Sequence, residues 1–81
     1  MNQAEVIAKL QTVFDGVFVE PVTVTPELSA DDVEEWDSLL MVSLIVEVEK
    51  AFGIRFRVGE VEATQNVGDL VALILRRLEK R

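Results

Sequence analysis

The sequence predicts an all-α fold, a four-helix bundle with a short third helix and a long loop between the first and second helices. Apolar residues recur at the spacing of an amphipathic helix in three long segments of the 81-residue chain. Between the first two of these segments, residues 17–37 contain two prolines and no sustained period, which indicates a long loop. The chain has no cysteine and no histidine, so helix packing, and not a disulfide or a zinc site, has to stabilise it. We expect one domain spanning residues 1–81.

The first helix is predicted over about residues 3–15. Asn2 with Glu5 three residues later resembles a capping box, and Gly16 suits a C-terminal stop. One apolar face is expected to enter the core, formed by Val6, Ile7, Leu10, Val13, Phe14 and Val17. The long loop that follows should be held on the bundle by its apolar side chains, Phe18, Val22, Val24, Leu28 and Trp36.

The second helix begins at Asp37 or Ser38, either of which is a good N-cap, and ends before Gly53. At 100° per residue its core face consists of Met41, Leu44, Ile45, Val48 and Phe52. A second apolar stripe, Leu39, Val42 and Val46, lies near the opposite face. Because a surface helix needs one apolar stripe, the second predicts a partner-binding surface, for which the candidate residues are Leu39, Leu40, Val42, Ser43, Val46, Glu47 and Lys50. The alternative is a helix buried on all sides, which is hard to arrange in a bundle of this size.

Beyond Gly53, alternation from Ile54 to Val58 indicates a short extended stretch in which the arginines face water, and residues 59–63 are predicted to form the brief third helix. Asn66 is the expected cap of the fourth helix, and Asp69 lies in its first turn. Its apolar face comprises Val67, Leu70, Val71, Ile74, Leu75 and Leu78. The basic residues that complement its C-terminus are Arg76, Arg77, Lys80 and Arg81.

Composition and charge exclude several function classes. A serine nucleophile needs a neighbouring base, usually histidine, so catalysis by a self-contained serine triad is excluded. No paired carboxylates can be assigned opposed environments, and we predict a protein that is not an enzyme, with no catalytic residue and no metal ligand. Residues 1–37 hold nine acids and one base, a concentration of negative charge that repels nucleic acid and favours partners with basic docking patches. The chain lacks a signal peptide and the ~20-residue apolar run of a membrane span, which predicts a cytoplasmic location.

Three segments are similar to acyl carrier proteins at spacings typical of that family: residues 36–39 (Trp-Asp-Ser-Leu), residues 47–54 ending in Phe-Gly-Ile, and residues 66–70 (Asn-Val-Gly-Asp-Leu). The resemblance covers essentially the whole chain. It implies that Ser38 carries a covalent 4'-phosphopantetheine arm, derived from coenzyme A, whose thiol supplies the sulfur that the polypeptide lacks. It also implies that Asp37 assists the phosphopantetheinyl transferase, whose magnesium activates the pyrophosphate of coenzyme A. The alternative for Asp37 is helix capping alone.

By this resemblance the chain holds acyl or aminoacyl groups as thioesters and presents them to enzymes in turn. The expected partners are the transferase, an acyl- or aminoacyl-activating ligase, and a ketosynthase or other acyl-processing enzyme, with the carrier acting as a monomer. Carriers of primary fatty acid synthesis usually have acids along the second helix, where this chain has Leu40, Ser43 and Lys50. Together with Trp36, this favours a free-standing carrier of a specialised fatty acid, polyketide or peptide-type pathway. The rival hypothesis is an unmodified helical interaction module in which Ser38 is only an N-cap.

Overall fold

The computed structural model describes residues 1–57 and 59–79, and within these residues three α-helices are joined by loops. The helices are α1 (Gln3–Val17), α2 (Ser38–Phe52) and α3 (Val67–Glu79), and a 3₁₀ turn spans Ala30–Asp32. α1 packs against both other helices. The described residues contain no strand, which confirms the all-α prediction. None of the helices there is both long and apolar enough to cross a bilayer.

The predicted short helix at residues 59–63 is not confirmed, and α3 corresponds to the predicted fourth helix. The segment forms a turn in which the Ala63 N–H donates to the Gly59 carbonyl at 3.2 Å. One such bond does not offset the entropy of nucleating a helix, so the turn does not propagate. Residues 54–57 form no helix or strand; Ile54 is buried and Arg55 and Arg57 are exposed, as predicted. Val58, Lys80 and Arg81 lie outside the described residues.

The start of α1 is as predicted, but its end is not. Asn2 and Glu5 form the reciprocal capping box through two hydrogen bonds of 2.9 Å. Gly16 was predicted as the stop, yet the helix continues through it to Val17. The Phe18 N–H donates to the Phe14 carbonyl at 2.8 Å, and both rings are buried. Burial of two aromatic side chains contributes more than the ~1 kcal/mol that a helical glycine costs.

One apolar core lies between the three helices. Leu44, Val48 and Phe52 enter it from α2 as predicted, while Met41 and Ile45 are only half-buried. The other buried members of this core are Val6, Leu10 and Phe14 of α1, Val67, Leu70, Val71 and Ile74 of α3, and Phe18, Val24, Trp36 and Ile54 of the loops. The loop anchors Val22 and Leu28 pack against it at its edge. The core thus holds both the helices and the long loop that leads to α2.

Hydrogen bonds to the backbone of the long loop attach it to α1 and α3. The Gln11 side chain donates to the Val22 carbonyl at 2.7 Å and accepts from the Val24 N–H at 2.9 Å. At the other end, the Gly68 N–H donates to the Pro26 carbonyl at 2.8 Å. A Cβ on Gly68 would lie 3.2 Å from that carbonyl oxygen, so the close approach favours glycine there. The loop is therefore a fixed part of the fold.

Glu60 and Arg77 form an ion pair that ties the turn after residue 59 to α3. Glu60 also accepts the Arg57 N–H at 2.6 Å. The backbone hydrogen bond from Arg57 and then the hydrogen bond from the Arg77 guanidinium hold the pKa of Glu60 below its usual value of 4.5. The folded protein thus favours the ionised carboxylate.

Glu60→Gln should remove a pH-dependent part of the stability. Because the folded pKa is lowered, the contribution of Glu60 is present above its usual pKa near 4.5 and is lost as pH falls through the folded value. The wild type should therefore melt above the variant at pH 6–7, and the difference should shrink on acidification. Thermal melts from pH 7 to pH 3.5 measure this difference. A constant gap over that range would contradict the electrostatic role of Glu60.

Candidate functional site

Ser38 is the first residue of α2, and its side chain is exposed. Asp37 is the N-cap: its Oδ1 accepts the Leu40 N–H at 2.8 Å, and its carbonyl accepts the Met41 N–H at 2.9 Å. These two bonds satisfy the third and fourth N–H groups of the helix. The N–H groups of Ser38 and Leu39 have no acceptor within residues 1–57 and 59–79. The serine hydroxyl therefore lies beside two free donors at the positive end of the helix dipole.

Trp36 fixes the position at which α2 begins. Its ring packs edge-on against Phe14 and Phe18, with centroids 5.4 Å and 5.8 Å away, and only 8% of the residue is exposed. The indole N–H donates to the Sδ of Met41 at 3.3 Å, across the first turn of the helix. An aromatic residue anchored two positions before Ser38 holds the serine at the surface while the adjoining chain is buried.

The carboxylate of Glu35 is a site-supporting group that the sequence reasoning missed. It accepts the N–H groups of Val19 and Glu20 at 2.8 Å and 3.2 Å, which joins the start of the long loop to its end. Gln11 plays a similar part further along the loop and was also missed. Nothing in the local pattern distinguished these two polar residues from their solvated neighbours, because their partners are 11 to 16 positions away.

The predicted second stripe of α2 is exposed. Leu39 is 80% exposed, Val42 59% and Val46 42%, and the three lie along one side of the helix. Exposed apolar side chains grouped in this way mark an interaction surface more often than scattered ones do. The structure thus brings these three candidate residues together.

The remaining candidates, Leu40, Ser43, Glu47 and Lys50, lie on a neighbouring side of α2. They line a groove of about 660 Å³ between α1 and α2, with Thr12, Val13, Gly16 and Val17 on the opposite wall. Leu40 is half-buried and packs against the core, which makes it in part a structural residue. Lys50 pairs with Glu47 at 3.9 Å, where both side chains are largely exposed.

The residues around Ser38 fit a phosphodiester. An anion on the serine oxygen would face the free N–H groups of Ser38 and Leu39, and the helix N-terminus would stabilise its charge by about 0.3–1 kcal/mol. Asp37 uses one oxygen for the cap, which leaves its exposed carboxylate accessible to an approaching protein. This arrangement can hold a group and present it. Within the described residues, no cluster of acids is placed to bind a metal ion.

Comparison with protein families and with known proteins also indicates a protein that carries a phosphopantetheine group. The sequence profile described as "phosphopantetheine attachment site" matches residues 19–74. The chain is 38% identical over 80 residues to the meromycolate extension acyl carrier protein of Mycolicibacterium aurum, covering 98% of this chain and 81% of that protein. It is 35% identical over 75 residues to the acyl carrier protein of Thermosynechococcus vestitus, covering 91% and 93%.

The fold has a solved counterpart. The solution structure of the holo acyl carrier protein from Geobacter metallireducens superimposes with a TM-score of 0.76 at 35% sequence identity. The match covers 96% of this chain and 86% of that one.

Proposed function

The chain belongs to the phosphopantetheine attachment site family and is an acyl carrier protein, and on that premise we propose that Ser38 is the residue to which its 4'-phosphopantetheine is attached. The observation that carries this proposal is an exposed serine directly after the capping Asp37, at the start of a helix anchored by Trp36. Ser43 lies a turn and a half further along α2, without free N–H groups beside it.

When bound, the prosthetic group supplies a terminal thiol that forms thioesters with acyl groups. The chain's own residues hold and present it: Asp37 caps the helix, Trp36 fixes the start of α2, and the first-turn N–H groups face the phosphate. We propose that Asp37 also assists the phosphopantetheinyl transferase. None of these roles requires the chain to catalyse a reaction, so the proposed function is that of a carrier and not of an enzyme.

The pathway that we propose is a specialised one of the fatty acid type. Support comes from relatives described as meromycolate extension acyl carrier proteins and from an apolar α2 with Leu40 and Lys50. Its partners would be the transferase and acyl-processing enzymes, such as an activating ligase or a ketosynthase. The carrier would act as a monomer in the cytoplasm.

We assign partner docking to the exposed side of α2. Leu39, Val42 and Val46 would be covered in the complexes, with Ser43, Glu47 and Lys50 at the polar rim. An apolar centre with a polar rim is the usual composition of a protein interface. Leu40 would contribute only its exposed part.

The test is modification of the apo protein by a broad-specificity phosphopantetheinyl transferase with coenzyme A and magnesium. We expect one added arm by intact-protein mass spectrometry, and peptide mapping should assign it to Ser38. Modification at any other residue would overturn the assignment.

Asp37→Ala should both destabilise the fold and slow modification. Loss of the cap removes a hydrogen bond to Leu40 and costs about 0.5–2 kcal/mol, which lowers the melting temperature by about 4–8 °C for each kcal/mol. Asp37→Asn is the matched control because it keeps an N-cap acceptor. If Asp37→Asn melts like the wild type but is modified more slowly, the carboxylate acts in the transfer. If Asp37→Asn and the wild type are modified at equal rates, helix capping is the whole role of Asp37.

A further inference from the structure

Met41 is bonded to both residues that directly precede Ser38. It lies at the end of the first turn of α2, and with Met1 it supplies all the sulfur of the chain. Its Sδ accepts a hydrogen bond from the indole N–H of Trp36 at 3.3 Å. Its backbone N–H donates to the Asp37 carbonyl at 2.9 Å. The position of the serine therefore depends on both the side chain and the backbone of Met41.

A small cavity gives solutes access to the side chain of Met41. Met41 is half-buried and, with Trp36, lines a cavity of about 40 Å³ that lies against residues 64–66. Ala30 and Gln65, which also line this cavity, are exposed, so it opens to solvent. One water molecule needs about 10–15 Å³ of such space, and the cavity is therefore large enough for a molecule of the size of hydrogen peroxide.

Hydrogen peroxide oxidises a thioether at sulfur without a further reactant. A sulfur lone pair attacks one peroxide oxygen, an S–O bond forms and the O–O bond breaks. The departing hydroxide takes the proton of the transferred oxygen and leaves as water, so sulfur loses two electrons and the peroxide gains them. The product is a polar, chiral sulfoxide, which methionine sulfoxide reductases convert back to the thioether.

An oxygen on the sulfur of Met41 does not fit between the sulfur and Trp36. An N–H···O hydrogen bond needs about 2.7–3.2 Å between nitrogen and oxygen, whereas 3.3 Å separates the indole nitrogen from the sulfur itself. Oxidation of the lone pair that faces Trp36 therefore forces the two side chains apart. Oxidation on either side of the sulfur also makes polar a side chain that packs against the apolar core, which is unfavourable.

Trp36 is the more firmly held of the two side chains. Its ring contacts Phe14 and Phe18, with centroids 5.4 Å and 5.8 Å away, and only 8% of the residue is exposed. Met41 is less buried, and Ser38 in the same helical turn is exposed. The first turn of α2, and not the indole, is thus the part that moves when the two side chains separate.

We propose that Met41 is a reversible oxidation site, at which conversion to the sulfoxide by hydrogen peroxide moves the first turn of α2 and slows attachment of the arm at Ser38. The effect on attachment rests on the proposed function, whereas the oxidation and the movement of the turn do not. A sulfur–aromatic contact of ordinary strength corresponds to a factor of about two to ten in an equilibrium constant, and we expect the attachment rate to fall by about that factor.

The experiment treats the apo protein with hydrogen peroxide and locates the added oxygen by peptide mass spectrometry. Met41→Leu is the matched variant, because leucine is apolar and of similar size but has no sulfur. Met1 remains in both proteins as a second oxidisable site. Attachment by the transferase is timed before oxidation, after it, and again after treatment with methionine sulfoxide reductases. Backbone amide NMR of residues 36–41 reports on the first turn of α2 independently of the transferase.

The oxidised wild type should show shifted amides at residues 36–41 and attachment slowed about two- to tenfold, and the reductases should reverse both changes. Peroxide should leave the attachment rate of Met41→Leu unchanged although Met1 takes up oxygen. Oxidation of Met1 alone, an unchanged rate for protein that carries the Met41 sulfoxide, or an equal loss of rate in Met41→Leu would overturn the inference. Absence of an arm on untreated protein would count against attachment at Ser38 instead, and unshifted amides would then count against movement of the turn.

Discussion

Ser38→Ala is expected to abolish attachment of the 4'-phosphopantetheine arm completely while leaving the fold intact. In the proposed attachment the phosphate bonds to the serine oxygen, and alanine has no oxygen that could replace it. The side chain of Ser38 is exposed and contributes nothing to the core. Alanine is also a good helix residue at the first position of α2, so the melting temperature should change little.

Ser43→Ala is the control for this experiment, because Ser43 is a second exposed serine of the same helix. It should still accept one arm. Intact-protein mass spectrometry after treatment with the transferase distinguishes the two variants. An added arm on Ser38→Ala, or its loss from Ser43→Ala, would show that the attachment site has been placed on the wrong residue.

Leu44→Asp should prevent folding, whereas Val42→Asp, two residues earlier on the same helix, should be tolerated. Leu44 is 1% exposed and Val42 59%. An unpaired buried charge costs several kcal/mol. Folded proteins are stable by about 5–15 kcal/mol, and a small domain lies at the lower end of that range, so the cost is comparable with its whole free energy of unfolding. A charge at the exposed position should change the free energy of unfolding by about 0.5 kcal/mol or less.

Circular dichroism and thermal melts measure the difference in stability between Leu44→Asp and Val42→Asp. Val42→Asp should instead lower kcat/KM for modification by the transferase, since a charge replaces an apolar group at the proposed docking surface. Ala72→Asp, exposed on α3, provides a control for added negative charge away from that stripe. Unfolding of Val42→Asp, or normal modification of this variant, would contradict the assignment of Leu39, Val42 and Val46 as a docking stripe.

Much of the architecture could be predicted from local sequence. The caps Asn2, Asp37 and Asn66 have partners within a few residues, and their hydrogen bonds are present at 2.8–2.9 Å. The glycine after α2 is an equally local signal, and its N–H donates to the Glu49 carbonyl. The two apolar stripes of α2 could be predicted in the same way, because the direction of a side chain on a helix follows from its spacing along the sequence. The exposed stripe and the serine at the helix start were predictable for this reason.

The errors arose where a local preference competed with a distant contact. Gly16 favours a helix end, but burial of Phe14 and Phe18 against Trp36 extends α1 past it. The turn predicted as a third helix is held instead by the pairing of Glu60 with Arg77, seventeen positions away. The helical phase alone also does not reveal that Leu40, a predicted docking residue, is half-buried against the core.

Sequence by itself determined the three long helices, their N-terminal caps and the exposed serine, because each depends on residues that lie within one or two turns of each other. Only the tertiary structure decided how the long loop is held by Gln11 and Glu35, and which cations meet at the end of α2. Arg55 and Arg77 are 22 positions apart and line one cleft because α3 packs beside the end of α2. Such proximity depends on the packing of whole helices in the core, which no short segment of the chain specifies.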